Sequence, residues 1–166
     1  MTDIVISHYL SPIGDLTLGV VEGALCLCTF SHAHAARFMA RNGLCAIEGD
    51  CGVLEEACSQ LSEYFAGKRT VFQLPLRFLG TDFQVLVWRY LVSIPFGESR
   101  CYQQQAVGVG RPSALRAVAG ANGQNPIVII VPCHRVMGKD GTLTGFSAGL
   151  WRKEFLLHLE SIPFKK

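Results

Sequence analysis

The sequence has no apolar run approaching the roughly 18 residues that a membrane-spanning helix needs. It also has no internal repeat, no low-complexity segment, no GxGxxG fingerprint and no phosphate-binding glycine loop, so nothing in it indicates a nucleotide-dependent enzyme. Met1 to Pro12 lacks a basic segment followed by an apolar one. We therefore expect a soluble protein of the cytoplasm.

The cysteines show no repeated CxxC spacing, and their number, seven, is odd. This argues against a secreted disulfide scaffold and favours reduced thiols in the cytoplasm. One cluster hints at a metal: Cys26, Cys28, His32 and His34. Two cysteines that are two apart on a strand share a face, and the spacing is not a standard zinc pattern. We favour core thiols and helix histidines, with a zinc site as the weaker alternative, and expect no metal.

A chain of 166 residues with 49% hydrophobic content can form a core without a metal or disulfides, as one domain or as two small ones. Its net charge of +2 is unevenly distributed. Residues 1–80 carry 5 basic and 8 acidic residues, giving −3, whereas residues 81–166 carry 10 and 5, giving +5. The positive excess is compatible with a polyanionic partner, and equally with an ordinary solvated basic surface.

The first half has the patterns of a mixed α/β domain. Two alternating runs, Ile4 to Leu10 and Asp15 to Val21, and a third apolar run, Ala24 to Phe30, predict two or three antiparallel strands. Helical spacing and capping signals predict a helix between Ser31 and Gly43 and a second helix over Leu54 to Phe65. A last apolar stretch predicts a strand near Val71 to Leu76.

The second half begins with a strong helix signal. Thr81 and Gln84 have the spacing of a capping box, and apolar residues then recur at helical intervals until Ile94-Pro95. Two short helices follow, at residues 103–109 and 113–122, separated by a turn over residues 110–112. They have the dimensions of a helix-turn-helix.

The second of these short helices consists largely of small residues, among them Ala114, Ala117 and Ala121. They permit close approach to another helix or to a nucleic-acid groove, and spacing alone favours protein packing. Arg116 rises from this small surface, either as a solvated charge or as a group that probes a partner.

The apolar run Ile127 to Val131 predicts a buried strand that Pro132 ends. Cys133 would then lie in the turn that follows. A nucleophilic thiol needs a fixed position, little water and neighbours that favour thiolate, and His134 and Arg135 are candidates for that task. The alternative is a small core residue like Cys58. The residues alone indicate a candidate Cys/His pair and go no further.

The second half resembles the O6-alkylguanine-DNA alkyltransferases. It contains, in that family's order, "TDFQ..VW", "IPFG", "GRP.ALRAV..AN..NP", "PCHRV", "DG.LTGF" and "KEFLL..E". Residues 1–80 match more loosely, through "SPIG.L.L" and "L.EYFAG". The resemblance implies an α+β fold, in which a ribonuclease H-like α/β domain, residues 1–80, packs on a mainly helical domain, residues 81–166, that contains a winged helix-turn-helix.

In that family, the cysteine that matches Cys133 takes an alkyl group from O6 of guanine, and we expect O4 of thymine as a second target. The thioether product has no easy route back, so each molecule acts once and no cofactor is needed. The resemblance implies a relay from Cys133 through water and His134 to Glu160. It also implies that Asn125 ties the turn together and that Tyr102 donates a hydrogen bond toward the departing base.

The resemblance further implies a monomer that binds double-stranded DNA through the minor groove and rotates the damaged base out of the stack. Arg116 would fill the vacated position. The remaining implied contacts are groove approach by Ala114, Ala117 and Ala121, and a base pocket of Val136 with Phe146, Ser147 and Ala148 from the segment Gly145 to Gly149. From their charge alone, we expect Arg135 and Lys139 to lie near phosphates.

Three positions depart from the family's usual residues. Phe146 replaces Tyr and lacks its hydroxyl, Ala148 replaces Gly and predicts lower tolerance of bulky O6 groups, and Cys101 replaces Ser or Thr. Cys101 is either a minor alkylation site or, as we favour, a residue that only fills space in the packing.

Two other functions remain open. One is a lesion-binding module, but relatives of that kind lack the cysteine, so the presence of Cys133 argues against it. The other is a thiol hydrolase, which would have to complete several turnovers.

Overall fold

The computed structural model describes residues 1–166 as a mixed α+β protein, as the sequence predicted. It divides into two compact units, Met1–Leu79 and Gly80–Lys166. None of its helices combines the length and the apolar character that crossing a bilayer demands.

The first unit contains a four-stranded sheet in the order β3-β2-β1-β4. Strands β1 and β2 pair antiparallel, as do β2 and β3, which confirms the predicted antiparallel strands; β4 pairs with β1 in parallel. Two helices accompany the sheet. The bounds are β1 Thr2–Ser11, β2 Gly14–Val21, β3 Ala24–Thr29, α1 His32–Arg41, β4 Leu44–Glu48 and α2 Gly52–Phe65.

Both helices of this unit were predicted. The Ser31 side chain accepts a hydrogen bond of 3.1 Å from the backbone nitrogen of His34 and so caps α1, which satisfies one of the unpaired amides of its first turn. Phe38 of α1 is fully buried with Ile4 and Leu27 of the sheet. The sheet is thus covered by an apolar helix face, as its alternating pattern requires.

The structure corrects two strand predictions in this unit. Strand β4 was missed because it is short and its apolar residues do not alternate with polar ones; most of them are exposed. The strand predicted near residues 71–76 is not formed: only a single bridge joins Leu76 to Leu25. Pro75, which has no amide hydrogen to donate, still accepts a bond of 2.8 Å from the Leu25 nitrogen.

The second unit is mainly helical, with one short parallel pair of strands, β5 and β6. Its elements are α3 Asp82–Val92, β5 Arg100–Cys101, α4 Tyr102–Gly108, α5 Leu115–Gly123, a single 3-10 turn Cys133–Arg135, β6 Val136–Met137 and α6 Leu150–Leu159. The predicted capping box is present, because Thr81 and Gln84 exchange bonds of 3.0 and 3.1 Å. Trp88 of α3 donates to the Ala121 carbonyl at 2.8 Å and fixes α5 against α3.

The run Ile127 to Val131 is not a strand. It is buried, as predicted, but it turns back on itself: the Val131 nitrogen donates to the Ile127 carbonyl at 3.0 Å, and Ile129 has φ of 72°. A β-branched residue at positive φ is strained and persists only where the surroundings hold it. A short, continuous run of apolar residues does not by itself distinguish a buried turn from a buried strand.

Candidate active site

The side chain of Asn125 ties this buried turn together. Its amide nitrogen donates to the Val131 carbonyl at 2.8 Å, and its oxygen accepts from the Ile127 nitrogen at 3.0 Å. Asn125 is itself buried, so the bonds satisfy backbone groups that water does not reach. These two bonds set the position at which the chain enters Pro132.

Cys133 opens the 3-10 turn that follows, and 6% of its surface is exposed. Burial raises the pKa of its thiol, while a hydrogen bond from Asn125 and the charge of Lys153 pull the pKa down. The thiol is thus sheltered, yet it has neighbours that favour its ionised form.

His134 and Glu160 form a fully buried pair. Nε2 of His134 lies 2.6 Å from Oε2 of Glu160. Burial alone would raise the pKa of Glu160, but the hydrogen bonds and charges of His134 and Arg135 outweigh it and lower the pKa to about 2. Burial lowers the pKa of His134, against the opposing effect of Glu160. The resting pair is therefore a neutral imidazole and a carboxylate.

Arg135 occupies a different place from the predicted one. Its Nε and Nη2 donate to the two oxygens of Glu160 at 2.8 and 3.2 Å, and Nη1 donates to the Ile94 carbonyl at 2.6 Å. The guanidinium is buried and its charge is balanced by the carboxylate. A phosphate contact does not fit this geometry. Arg135 instead holds Glu160 in the orientation that faces His134.

Cys133 lies on the wall of a cavity of about 530 Å³. Three predicted pocket or site residues, Tyr102, Phe146 and Ser147, lie on the same wall. The remaining lining residues are Ala119, Asn122, Gly123, Thr144 and Gly145. The Thr144 hydroxyl donates to the Tyr102 hydroxyl oxygen at 3.1 Å, which orients the tyrosine at the cavity edge.

A second cavity, of about 610 Å³, shares Tyr102 and Ala119 with the first. Arg116 and Lys139, both predicted to contact a partner, are exposed side chains on its wall. Tyr102 and Ala119 thus separate a cavity that contains the thiol from one that is lined by two positively charged side chains.

Three predicted contacts are not supported by the structure. Ala121 is buried under Trp88 and does not face a groove, whereas Ala114 is half-buried and Ala117 is exposed. Val136 is fully buried in β6 and does not line the cavity. Ala148 does not line it either: its carbonyl accepts a bond of 2.8 Å from Arg152. The methyl group of Ala148 is therefore not part of the wall of this cavity.

Sequence reasoning gave no role to Lys153, Asn122 and Thr144. Lys153 is buried, with 1% of its surface exposed, although lysine is almost never fully buried without a partner. It stands in the "KEFLL..E" motif, seven residues before Glu160, which is the signal that could have drawn attention to it. Asn122 lines the cavity while its side chain is paired with Gln105 of α4 through two bonds of 2.8 Å.

The cysteines and histidines that hinted at a metal, Cys26, Cys28, His32 and His34, lie in different environments. Cys26 and Cys28 are fully buried in β3, and burial raises the pKa of Cys26 to about 12. His32 is exposed at the start of α1, and His34 is half-buried. Within residues 1–166, no three His, Cys, Asp or Glu side chains are arranged to hold a metal ion.

Comparison with known proteins covers both units. Residues 82–162 match the DNA-binding domain of 6-O-methylguanine DNA methyltransferase, and residues 4–78 match its ribonuclease-like domain. A methylated-DNA–protein-cysteine methyltransferase from Methanosarcina barkeri is 57% identical over 105 residues, which cover 63% of this chain and 66% of that protein. The constitutive methylated-DNA–protein-cysteine methyltransferase of Bacillus subtilis is 52% identical over 114 residues, 68% of this chain and 69% of that protein.

The fold is also shared with solved structures. The crystal structure of the Mycobacterium tuberculosis O6-methylguanine methyltransferase superposes with a TM-score of 0.78 at 42% identity, covering 96% of this chain and 93% of the other. The complex of the M. tuberculosis protein with DNA gives 0.79 at 43% identity, covering 95% and 92%. The fold and the site together define an α+β protein whose helical unit carries a buried thiol. The chain belongs to the 6-O-methylguanine DNA methyltransferase family, which confirms the resemblance read from its motifs.

Proposed function

We propose that this protein repairs alkylated DNA by direct reversal, moving an alkyl group from O6 of guanine, and from O4 of thymine, onto Sγ of Cys133. Each molecule reacts once, because a thioether does not return to thiolate. The observation that carries the proposal is the placement of Cys133 on a cavity wall, directly before a buried His134–Glu160 pair.

The pair defines the direction in which the thiol proton leaves. Glu160 is ionised and only accepts hydrogen bonds, so Nε2 of His134 carries the ring proton and Nδ1 carries the lone pair. Nδ1 is buried and makes no hydrogen bond within the protein. It takes the Cys133 proton, directly or through water, and Glu160 stabilises the resulting imidazolium.

The bond changes then balance without a cofactor. The sulfur–carbon bond forms as the carbon–oxygen bond breaks, and the electron pair of that bond stays on the purine. The purine takes up a proton from water, and the His134 imidazolium returns the Cys133 proton to water. Because the Tyr102 oxygen accepts from Thr144, its own hydroxyl hydrogen is left to donate to the departing base. Phe146 and Ser147, on the cavity wall, are proposed to stack on the base and to hydrogen-bond near O6.

We assign DNA binding to the same unit, Gly80–Lys166. Helices α4 and α5 and the turn between them form the proposed helix-turn-helix of a winged-helix domain, which enters the minor groove and lets one base rotate into the cavity. Arg116 fills the vacated stack, Lys139 contacts a phosphate, and the exposed Ala117 permits close approach. The proposal includes a ribonuclease H-like fold for residues 1–80 and a monomer that binds double-stranded DNA.

The test is mass analysis after the protein is mixed with duplex DNA that contains one O6-methylguanine. We expect one added methyl group on the peptide that contains Cys133, together with loss of the lesion and one turnover per molecule. The Cys133→Ala variant should still bind the duplex and leave the lesion intact. A tight reversible complex with unchanged DNA would indicate a lesion-binding module instead, and repeated turnover on a thioester substrate would indicate a hydrolase.

A further inference from the structure

Thr144 is a cavity residue whose hydroxyl contacts a group of the proposed reaction. Its Oγ1 donates to the Tyr102 hydroxyl oxygen at 3.1 Å, and both side chains line the cavity that contains Cys133. Within residues 1–166, Thr144 is the one hydrogen-bond partner of the Tyr102 hydroxyl. The direction in which that hydroxyl points therefore depends on Thr144.

The side chain of Thr144 has little freedom to turn. Its γ-methyl group lies against the backbone of Gly138, where an added Cβ would come within 3.3 Å of that methyl group. A threonine has two heavy atoms on its Cβ, so a methyl group held on one side fixes the direction of the hydroxyl on the other. The Thr144 hydroxyl is thus held toward Tyr102 by the backbone beside it.

The segments that carry the two hydroxyls are anchored by backbone hydrogen bonds. Before Thr144, the Leu143 nitrogen donates to the Lys165 carbonyl at 2.7 Å, and the Lys165 nitrogen donates to the Gly141 carbonyl at 2.8 Å. Tyr102 directly follows β5, and the strand that pairs with β5, β6, ends directly before Gly138. The same pair of strands therefore supports both partners of the bond.

We propose that Thr144 is a positioning residue for Tyr102: its hydroxyl hydrogen occupies a lone pair of the phenolic oxygen and so directs the phenolic hydrogen toward the departing base. This proposal rests on the proposed alkyl transfer. A hydroxyl has one hydrogen, so a Tyr102 that donated to Thr144 would have none left for the purine. A bond that the phenolic oxygen accepts also strengthens the bond that the same hydroxyl donates, because the two bonds polarise each other.

The first experiment compares two reagents that differ in their leaving group. The full-length protein reacts with saturating duplex DNA that contains one O6-methylguanine, or with iodoacetamide, and modification of the Cys133 peptide is followed by mass. Thr144→Val keeps the shape of the side chain and removes the donor, so it should slow transfer from the duplex about tenfold. The rate with iodoacetamide should stay within about twofold, because iodide leaves without a hydrogen bond from Tyr102.

Two further variants separate the hydroxyl from the fold. Thr144→Ser keeps the donor and should recover most of the rate with the duplex. Thr142→Val changes an exposed threonine two residues away and should leave both rates unchanged. An unchanged duplex rate for Thr144→Val overturns the proposal, and so does an equal loss with both reagents, which would indicate damage to the whole thiol site. If the natural protein transfers no methyl group at all, the proposed alkyl transfer is itself wrong, and this role for Thr144 falls with it.

The second experiment removes the phenolic hydroxyl first. Tyr102→Phe should slow transfer from the duplex about a hundredfold, as expected for loss of a donor to developing negative charge. Adding Thr144→Val to Tyr102→Phe should change the rate by less than about twofold, because Thr144 acts only through the hydroxyl that is already absent. A further tenfold loss in the double variant would show that Thr144 acts on the base directly or through the fold, and would overturn the positioning role.

Discussion

Oε2 of Glu160 lies 2.6 Å from Nε2 of His134, and neither side chain has any exposed surface. The backbone nitrogen of Gly97 also donates to Oε1 of Glu160, at 3.3 Å, and Arg135 donates to both carboxylate oxygens. This carboxylate is therefore a structural centre as well as part of the proposed proton path. Its removal should affect both stability and reaction rate.

Glu160→Gln should destabilise the protein at neutral pH by about 3–5 kcal/mol, because the buried Arg135 guanidinium loses its counter-ion. Removal of the carboxylate also leaves the His134 imidazolium unsupported, so transfer from methylated duplex should slow by at least about a hundredfold. Chemical denaturation checks the first effect and the initial rate of Cys133 alkylation checks the second. A stable variant with full rate would show that Glu160 has neither role.

The pH dependence of stability has a definite sign. The folded-state pKa of Glu160, about 2, lies below its ordinary value of 4.5, so its stabilisation is present above pH 4.5 and is lost as the pH falls toward 2. The pKa of His134 is also lowered in the folded state, which costs stability below its ordinary value of 6.5. Unfolding free energy should thus fall on acidification from pH 7 to pH 3. In Glu160→Gln the fall below pH 4.5 should be smaller than in the natural protein, and an equal fall would contradict the assignment.

The residues that sequence predicted well are those whose signals are local. Ser31 and Thr81 cap helices through bonds three residues away, and both helices begin where predicted. The motif spacing likewise identified Cys133 and the cavity residues Tyr102 and Ser147. These features need only the chain's near neighbours to be recognised.

The misplaced residues depend on distant partners. Arg135 was assigned to a phosphate because its partner, Glu160, is 25 residues away and the pairing is invisible in a linear pattern. Lys153 bonds to Val136, 17 residues before it, and its burial has no local signal. The run from Ile127 was predicted as a strand because buried turns and buried strands are equally apolar. For Arg135 and Lys153, what the sequence lacked was a long-range contact.

Asn125→Ala should weaken the turn that delivers Cys133. It leaves the Val131 carbonyl and the Ile127 amide without their bonds, at about 1–3 kcal/mol for each buried group. It also removes a hydrogen bond that lowers the pKa of the Cys133 thiol, so the pH–rate curve for iodoacetamide should move to higher pH. Thermal unfolding and thiol modification measure the two effects. Unchanged unfolding together with an unchanged curve would contradict this account of the turn.

Arg116→Ala should slow transfer from duplex DNA at least about tenfold and leave transfer from free O6-benzylguanine within about twofold, because only the duplex must hold a base out of its stack. Arg89→Ala is the matched control, since Arg89 is an exposed arginine of α3, outside the proposed helix-turn-helix. It should leave both rates nearly unchanged. Equal losses on both substrates for Arg116→Ala would contradict the proposed insertion into the stack.

The buried pair of amides between α4 and α5 permits a test of how the two helices are held. Gln105→Leu alone leaves the Asn122 amide unpaired and should cost about 1–3 kcal/mol, and Asn122→Leu should cost a similar amount. The double variant, with both amides replaced by apolar groups, should be more stable than the sum of the single losses implies, by at least about 1 kcal/mol. Because Asn122 also lines the cavity, the double variant should recover stability without recovering the full rate of transfer. Additive losses in denaturation would show that the two side chains do not act as a pair, and full recovery of rate would remove Asn122 from the cavity's function.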